Sequence, residues 1–250
     1  MMPPTPKVGG CARLLLFDID GTLIDTEGAG LRSFSEAFYL AFPEHSGQLF
    51  PPLELGGATD HGLIMHLFEH FGLEDLPLHR RRFFESYTGK LAASLEHFSK
   101  EGRGRLLPGV VDLLDALAGD DDVALAVLTG NTEAGARVKL RHFQIDHYFS
   151  VGAYGDDHHD RNELGPIARE RARQQCGREF RPSEIVVIGD TLRDIACARA
   201  FGAKVIAVAT GAATRAELAA ASPDILLDDF SDRERVLDAF QSVFSSPAPA

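Results

Sequence analysis

A buried strand that ends in two closely spaced aspartates constrains the fold of this chain more than any other feature. The residues Leu14–Phe17 are all apolar, and Asp18, Ile19 and Asp20 follow them directly. A continuous apolar run of this length is typical of a central strand in a parallel sheet. Ligands of such sheets bind beyond the carboxyl ends of the strands. Because alternate residues of an extended segment point the same way, both carboxylates are predicted to face one site at this edge.

Two carboxylates that lie this close repel each other unless a proton or a cation lies between them. A divalent, oxygen-preferring ion such as Mg²⁺ suits such a pair at neutral pH. The chain as a whole carries 37 acidic and 25 basic residues, a formal net charge of −12. This excess argues against non-specific binding of nucleic acid, which depends on Lys and Arg. It leaves an anionic substrate open, because a metal and a few local cations can reverse the field within a pocket.

Strands and helices alternate along most of the chain, which predicts an α/β fold with a doubly wound, parallel, Rossmann-like sheet. The first strand is expected near 12–17, and the later strands are expected near 123–128, 148–151, 185–188, 204–208 and 225–227. The helices of this part are expected near 110–117, 133–142, 166–175, 195–201, 213–221 and 233–244.

The segment 28–105 has a different pattern, because its apolar residues recur at helical spacing without a buried strand. Helices are predicted near 31–42, 59–71 and 78–98, and 101–105 is predicted to be a hinge. We therefore expect two domains: a Rossmann-like core formed by 1–27 and 106–250, and an inserted helical cap formed by 28–105.

Two further predicted strands end in polar residues. One is followed by Thr129, Gly130 and Asn131, and the other by Asp190 and Asp194. The two later aspartates would join those of the first strand around one hard cation. The threonine hydroxyl and the backbone N–H groups near Gly130 suit an anion. A basic side chain for the remaining charge of a phosphate is the part that these strand ends do not supply.

In these motifs the chain resembles the haloacid dehalogenase-like (HAD) superfamily, in particular its phosphoglycolate phosphatase-like branch. Asp18–Thr22 matches the first motif of the family, Thr129 the second and Gly189–Asp194 the fourth, in the same order and at a similar separation. The resemblance implies a Mg²⁺-dependent phosphatase that acts on small phosphorylated metabolites, such as phosphoglycolate or a sugar phosphate. It also implies that the inserted helices form a mobile cap over the site.

The resemblance assigns roles to the acidic residues. Asp18 would be the nucleophile that forms an aspartyl-phosphate. Asp20 would protonate the leaving oxygen and then activate water. Mg²⁺ would bind the Asp18 carboxylate, the Asp20 main-chain carbonyl and Asp190, while Asp194 would act through water or by orienting its neighbours. The second acid, Asp20, is absent from the dehalogenase members of the family, so its presence favours phosphoryl transfer.

The phosphate is expected to bind Thr129, Gly130 and Asn131. The third motif of the family departs from its usual form here, since no Lys-Pro follows the third strand. Arg161 is the best-placed cation, and it could pair with two phosphate oxygens at once. The alternative interpretation of Arg161 is an ordinary surface arginine on a loop. Gly56–Asp60 is either a substrate-contacting helix N-terminus or an ordinary helix cap.

Three alternatives to a phosphatase remain open at this point. A phosphomutase would return the phosphoryl group to a substrate rather than to water. A non-catalytic regulatory or binding protein could keep the fold, although the intact aspartates argue against it. A phosphoacceptor receiver domain also uses an aspartate and Mg²⁺, but the helical insertion and Asp20 make that class less favourable.

The cysteines and the apolar segments indicate the cellular compartment in which the protein is expected. Cys11, Cys176 and Cys197 are few and widely spaced, which is typical of reduced thiols rather than of disulfides or a zinc site. The segment Met1–Gly10 lacks the apolar core of a secretory signal, and no stretch approaches the roughly 18–20 apolar residues of a membrane span. We therefore expect a cytoplasmic protein with no membrane partner. The oligomeric state is not predicted.

Overall fold

A computed structural model describes residues 10–245 of the chain. In chain order, its strands are β1 (Arg13–Phe17), β2 (Ile24–Asp25), β3 (Arg105–Leu106), β4 (Val123–Leu128), β5 (Gly152–Ala153), β6 (Ile185–Gly189), β7 (Lys204–Val208) and β8 (Ile225–Leu227). Its α-helices are α1 (Ala29–Ala41), α2 (Asp60–Phe71), α3 (Pro77–Lys100), α4 (Val110–Ala118), α5 (Glu133–His142), α6 (Leu164–Cys176), α7 (Leu192–Ala200), α8 (Arg215–Ala220) and α9 (Arg233–Ser245). The expectation about a leader concerns Met1–Gly10, of which residues 1–9 lie outside the described residues.

The central sheet has six parallel strands in the order β5-β4-β1-β6-β7-β8. The strand β1 lies between β4 and β6, with Leu14 opposite both Ala124 and Ile185. The chain winds outward from β1 in both directions, so the carboxyl end of β1 lies at a switch point where open α/β sheets bind ligands. The α/β class and the doubly wound parallel sheet are therefore confirmed.

The side chains of β1 are buried on both faces of the sheet. Leu14 and Leu16 pack in a cluster with residues of α6 and α7. Leu15 and Phe17 pack in a second cluster with residues of α4 and α9. All four are at most 1% exposed, as expected for a parallel strand covered by helices on both sides. This burial fixes the strand whose end carries the two aspartates.

The helices α1, α2 and α3 form a separate apolar cluster of their own, rich in aromatic rings. Phe34 packs edge-on against Phe83 at a centroid distance of 4.7 Å and against Tyr87 at 5.2 Å. Edge-to-face rings at such distances add to the stability that burial provides. The predicted domain limits of 28–105 stay a prediction, but this insertion does have its own core.

The chain enters and leaves the helical insertion through a short antiparallel ribbon that the sequence did not predict. Ile24 of β2 pairs with Leu106 of β3, and Asp25 pairs with Arg105. An ion pair of 2.9 Å joins the side chains of Asp25 and Arg105. Arg105 is therefore a strand residue rather than part of a hinge. Two-residue strands are too short to give a periodic signal.

The predicted strand at 148–151 is wrong in position. Asp146–Tyr148 form a turn of 3₁₀ helix, and the strand β5 begins only at Gly152. The reason lies in the ladder with β4, where the Val127 amide donates to the Val151 carbonyl and the Thr129 amide donates to Ala153. The helix α7 also begins earlier than predicted, because a capping box at Thr191 and Asp194 starts it at Leu192.

Among residues 10–245, none of the helices combines the length and the apolar character that crossing a bilayer requires.

Candidate active site

The predicted nucleophile lies at the carboxyl end of β1 and is buried. Asp18 is 5% exposed, and its amide donates to the Ile188 carbonyl of β6 at 2.9 Å. Burial raises the pKa of Asp18 to about 6, with Arg161 opposing the shift and Asp194 and Asp20 adding to it. A carboxylate in this setting needs positive charge nearby to remain ionised at neutral pH.

Three buried carboxylates form a cluster at the carboxyl ends of β1 and β6. Oxygen atoms of Asp18, Asp190 and Asp194 all lie within 4.8 Å of one another. Burial, Asp194 and Asp18 together raise the pKa of Asp190 to about 8, against a hydrogen bond from the Thr22 hydroxyl. Such a set of buried oxygen donors with surplus negative charge fits a hard divalent cation.

The backbone packs closely around this cluster. A Cβ atom on Gly211 would lie 1.6 Å from Oδ2 of Asp190, so no residue other than glycine fits there without moving that carboxylate. The loop after β7 also holds the carboxylate directly, because the Ala212 amide donates to Oδ2 of Asp190 at 3.3 Å. The position of Asp190 is therefore fixed by the loop after β7 and by the Thr22 hydroxyl in the loop after β1.

Arg161 is the cation of this cluster. Its Nη2 atom lies 3.0 Å from Oδ1 of Asp18 and 2.5 Å from Oδ1 of Asp194. The residue is 6% exposed, so the alternative of a surface arginine is wrong. Burial opposes the charge, but Asp194 and Asp18 raise the pKa of Arg161 above its ordinary value. Its Nε atom is buried without a hydrogen-bond partner among the described residues.

Asp194 supports the cluster from the first turn of α7. It is fully buried. Its Oδ2 atom accepts hydrogen bonds from the Thr191 amide at 3.0 Å and the Thr191 hydroxyl at 2.6 Å, while its Oδ1 atom faces Arg161. Most of its hydrogen-bonding capacity is thus satisfied within the protein, an arrangement suited to orienting neighbours as well as to binding a cation.

The second aspartate of the first motif is held by two residues of the adjacent loop and helix. Oδ2 of Asp20 accepts from Nζ of Lys139 at 2.6 Å and from Nδ2 of Asn131 at 2.7 Å. The Lys139 ammonium also donates to Oδ1 of Asn131 at 2.6 Å. Oδ1 of Asp20 makes no hydrogen bond with any residue in the described range 10–245. One oxygen is therefore fixed and the other remains available.

Sequence reasoning missed Lys139. A signal for it was present, because Lys139 lies on the same face of α5 as Ala136 and Leu140, which are both buried. A lysine on the buried face of a helix must find a partner or pay a high desolvation cost. Since this helix follows a strand that ends at the site, a carboxylate there was the natural partner.

The predicted phosphate-binding loop follows β4. Thr129 is buried, and its Oγ1 atom accepts from Nδ2 of Asn131 at 2.8 Å, which leaves the hydroxyl hydrogen free to donate. The Gly130 amide donates to no residue that the structure describes. Because the polar atoms of the Asn131 side chain contact Asp20, Thr129 and Lys139, phosphate binding by Asn131 stays a prediction.

The segment before α2 packs directly on this loop. The Asp60 amide donates to the Gly130 carbonyl at 2.7 Å, and a Cβ atom on Gly130 would lie 1.9 Å from the Ala58 carbonyl oxygen. The Thr59 hydroxyl caps α2 by accepting from the Gly62 amide. Capping by Thr59 is confirmed, while a contact of this segment with substrate stays a prediction.

The Asp60 side chain also contacts the core. Its Oδ2 atom accepts from the Thr132 amide, at the start of α5, at 2.9 Å. Burial raises the pKa of Asp60 to about 6 despite the nearby Lys139 ammonium. The helical insertion is therefore joined to the core by a buried carboxylate as well as by backbone hydrogen bonds.

A cavity of about 460 Å³ lies between the end of the sheet and the helical insertion. Asp18, Asp20, Thr129, Arg161 and Asp190 all line it. The volume falls within the range of roughly 300–1,000 Å³ that encloses small-molecule ligands. The structure thus brings the predicted residues of three strand ends, together with Arg161, around one cavity.

Comparison with known proteins identifies the family. The family model for haloacid dehalogenase-like hydrolases matches residues 15–208. The protein "Probable phosphatase IndB" of Dickeya dadantii is 29% identical over 238 residues, which cover 94% of this chain and 97% of that protein. A phosphoglycolate phosphatase of Agrobacterium fabrum is 28% identical over 246 residues, covering 95% and 96%.

A solved structure agrees over nearly the whole chain. CbbY of Rhodobacter sphaeroides, crystallised in complex with phosphate, superimposes with a TM-score of 0.65 at 25% identity, covering 88% of this chain and 96% of that one. A mutant of the same protein has been crystallised with xylulose-1,5-bisphosphate. The resemblance drawn from the motifs is therefore confirmed over most of the chain.

Proposed function

The chain belongs to the haloacid dehalogenase-like hydrolases, and we propose that it is a Mg²⁺-dependent phosphatase of small phosphomonoesters that works through an aspartyl-phosphate. The observation that carries the proposal is the arrangement around the cavity. Asp18 belongs to a cluster with Asp190 and Asp194, and Arg161 contacts both Asp18 and Asp194. One oxygen of Asp20 is held by Lys139 and Asn131. This arrangement supports Asp18 as the nucleophile and Asp20 as the group that transfers protons.

Asp18, Asp190 and the main-chain carbonyl of Asp20 would hold Mg²⁺, and Asp194 would orient this set. The metal supplies positive charge that lets an anionic carboxylate approach an anionic phosphate. Burial first, and neighbouring carboxylates second, raise the pKa values of Asp18 and Asp190, so a bound cation would stabilise their ionised forms. Arg161 offsets only part of their negative charge.

In the first half of the reaction, an Asp18 carboxylate oxygen attacks phosphorus and the ester bond to the leaving alcohol breaks. The leaving oxygen takes a proton from Asp20, through the Oδ1 atom that has no partner among the described residues. In the second half, Asp20 accepts a proton from water as the water oxygen attacks the phosphoryl group, which releases phosphate and regenerates Asp18.

The phosphoryl oxygens would be held by the Thr129 hydroxyl, the Gly130 amide and Arg161. These donors stabilise the charge that the three equatorial oxygens carry in the transition state. The helical insertion covers one side of this space, and limiting the access of bulk water would strengthen each of these contacts. The three cysteines are buried thiols, which supports a location in the reducing cytoplasm.

The proposal is tested by the release of phosphate from a panel of phosphorylated metabolites and p-nitrophenyl phosphate, with Mg²⁺ and with EDTA. We expect Mg²⁺-dependent release that Asp18→Asn lowers by at least about 10³-fold, as for the loss of a nucleophile elsewhere. Circular dichroism checks that the variant folds. Activity of Asp18→Asn within tenfold of the wild type would contradict the mechanism. An isomerised phosphosugar without free phosphate would favour the phosphomutase instead.

A further inference from the structure

The charged residues that line the active-site cavity are mostly acidic. The acidic ones are Asp18, Asp20, Asp25, Asp60 and Asp190. Within residues 10–245, the basic residues that line it are Lys139 and Arg161 alone. Because Asp25 pairs with Arg105, a bound divalent cation and these two side chains would balance the remaining carboxylates and leave no positive charge to spare.

Both basic side chains already pair with carboxylates of the reaction centre. Lys139 contacts Asp20 at 2.6 Å, and Arg161 contacts Asp18 at 3.0 Å. Both are buried, at 4% and 6% exposure. A second anionic group of a substrate could bind either of them only by weakening a contact that positions a catalytic aspartate.

The wall opposite the sheet comes from the helical insertion and, apart from Asp60 and the Tyr87 hydroxyl, consists mostly of apolar side chains. Leu31, Phe34, Leu55, Leu63 and Tyr87 line this side of the cavity. Leu31 and Leu55 are 40% and 41% exposed, although large apolar side chains are usually buried. Covering exposed apolar surface with a ligand is favourable, at roughly 25 cal/mol per Å².

From this distribution we propose that the leaving group of the substrate is an uncharged, largely apolar alcohol or phenol without a second phosphate or carboxylate. The inference rests on the proposed phosphatase function and narrows its substrate class. A second anion placed against Leu31 and Leu55 would lose part of its hydration without gaining a counter-ion, which disfavours its binding. An apolar group there would instead cover Leu31 and Leu55.

The inference is tested with two esters that differ by one charge, phenyl phosphate and 4-carboxyphenyl phosphate, at saturating Mg²⁺. The carboxyl group makes the phenol a slightly better leaving group, so chemistry alone favours the charged ester. We expect kcat/KM to be at least about tenfold higher for phenyl phosphate, because the extra carboxylate would lie near acidic residues without a counter-ion. Equal values, or a preference for the charged ester, would overturn the inference.

A pair of matched variants locates the effect. Leu55→Lys places a cation on the cavity wall, whereas Leu49→Lys makes the same change at a position that is 89% exposed and outside the cavity lining. We expect Leu55→Lys to shift the ratio of the two kcat/KM values toward the charged ester by at least about fivefold. Leu49→Lys should leave the ratio unchanged, and an equal shift in both variants would overturn the inference.

The outcomes separate this inference from the proposed function. If phosphoglycolate is hydrolysed at least as efficiently as ethyl phosphate, the inference is overturned while the phosphatase function stands. If neither these esters nor p-nitrophenyl phosphate yields phosphate with Mg²⁺, the proposed function is contradicted and the inference falls with it.

Discussion

The two walls of the cavity differ in how they use charge. On the wall formed by the sheet, buried carboxylates contact a cation or a hydrogen-bond donor, as Asp18 and Asp194 contact Arg161. On the wall formed by the helical insertion, Leu31 and Leu55 expose apolar surface to the cavity. In the proposed function the two walls have separate tasks: residues on the sheet side transfer the phosphoryl group, and residues on the insertion side select the leaving group. Changes on the sheet side should affect every ester, and changes on the insertion side only some.

The largest effect is expected at Arg161. Arg161→Met leaves Asp18 and Asp194 buried without their cation, which should lower the free energy of unfolding by about 3–5 kcal/mol and reduce activity toward all esters alike. Urea denaturation in EDTA measures the loss. Adding Mg²⁺ should restore part of it, since the metal would pair with the same carboxylates.

The control for Arg161 is Arg173→Met, which removes an exposed pair with Glu170 on α6 and should cost less than about 1 kcal/mol. Arg161→Lys keeps the charge but loses the planar fork, so its stability should lie between those of the Arg161→Met variant and the wild type. A loss of stability in Arg161→Met no larger than that in Arg173→Met would contradict the account of the sheet side, in which Arg161 neutralises buried carboxylates.

Asp60 joins the two walls and should make the stability of the protein depend on pH. Its pKa is raised from 3.8 to about 6, so its contribution to stability is fully present below pH 4 and is lost as pH rises through 6. Asp60→Asn keeps an acceptor for the Thr132 amide and removes the ionisation. Relative to this variant, the wild type should lose up to about 3 kcal/mol between pH 4 and pH 8.

Urea denaturation at several pH values measures the difference between wild type and Asp60→Asn. The control is Glu69→Gln, an exposed acid on the same helix, for which the difference should stay flat. A flat difference for Asp60→Asn as well would mean that this carboxylate is not buried when the protein is folded.

Substitution of Lys139 should affect the proton transfers that Asp20 carries out. Lys139→Met removes one of the two donors that fix Oδ2 of Asp20, and we expect kcat to fall by about 10- to 100-fold, as for other residues that orient a catalytic group. The loss should be greater for an alkyl phosphate than for p-nitrophenyl phosphate, because a poor leaving group depends more on the acid.

The matched control is Lys100→Met, at an exposed position at the end of α3, which should leave both rates unchanged. An equal loss for both esters in Lys139→Met would indicate a general structural role for Lys139 rather than the positioning of Asp20.

The smallest effect is expected on the insertion side. Leu31→Ala should raise KM for esters with apolar leaving groups by a few-fold, about 1 kcal/mol of lost burial, with little change in kcat. Leu40→Ala on the same helix removes a leucine that is 59% exposed and does not line the cavity. If the two variants have the same KM for these esters, Leu31 does not contact the leaving group.

The sequence predicted most of the sheet side and little of its internal contacts. The end of β1 was evident because an apolar strand followed by Asp18 and Asp20 is a local pattern. Arg161 was found from its place after the third strand, although only the structure shows that it lies against Asp18. The buried face of α5 indicates that Lys139 needs a partner at the site, but Asp20 is 119 positions away, so the local pattern does not specify which carboxylate it contacts. The same limit applies to the ribbon of β2 and β3.

The sequence predicted the helices of the insertion but not which of their residues line the cavity. Helical spacing identified α1, α2 and α3, since an apolar stripe is also a local pattern. The sequence did not predict that Leu31 and Leu55 line the cavity. Their positions depend on how the insertion packs on the loop at Gly130, where the Asp60 amide and the Ala58 carbonyl make contact. That packing is set by tertiary structure.

The most direct test of the central claim is to trap the covalent intermediate on Asp18. Asp20→Asn removes the base for the second half-reaction, while p-nitrophenyl phosphate needs little acid for the first. After a single turnover with Mg²⁺ and an acid quench, mass spectrometry of the digested variant should find one phosphoryl group on the peptide that contains Asp18. A phosphoryl group on another residue, or none after a measured burst of p-nitrophenol, would contradict the account.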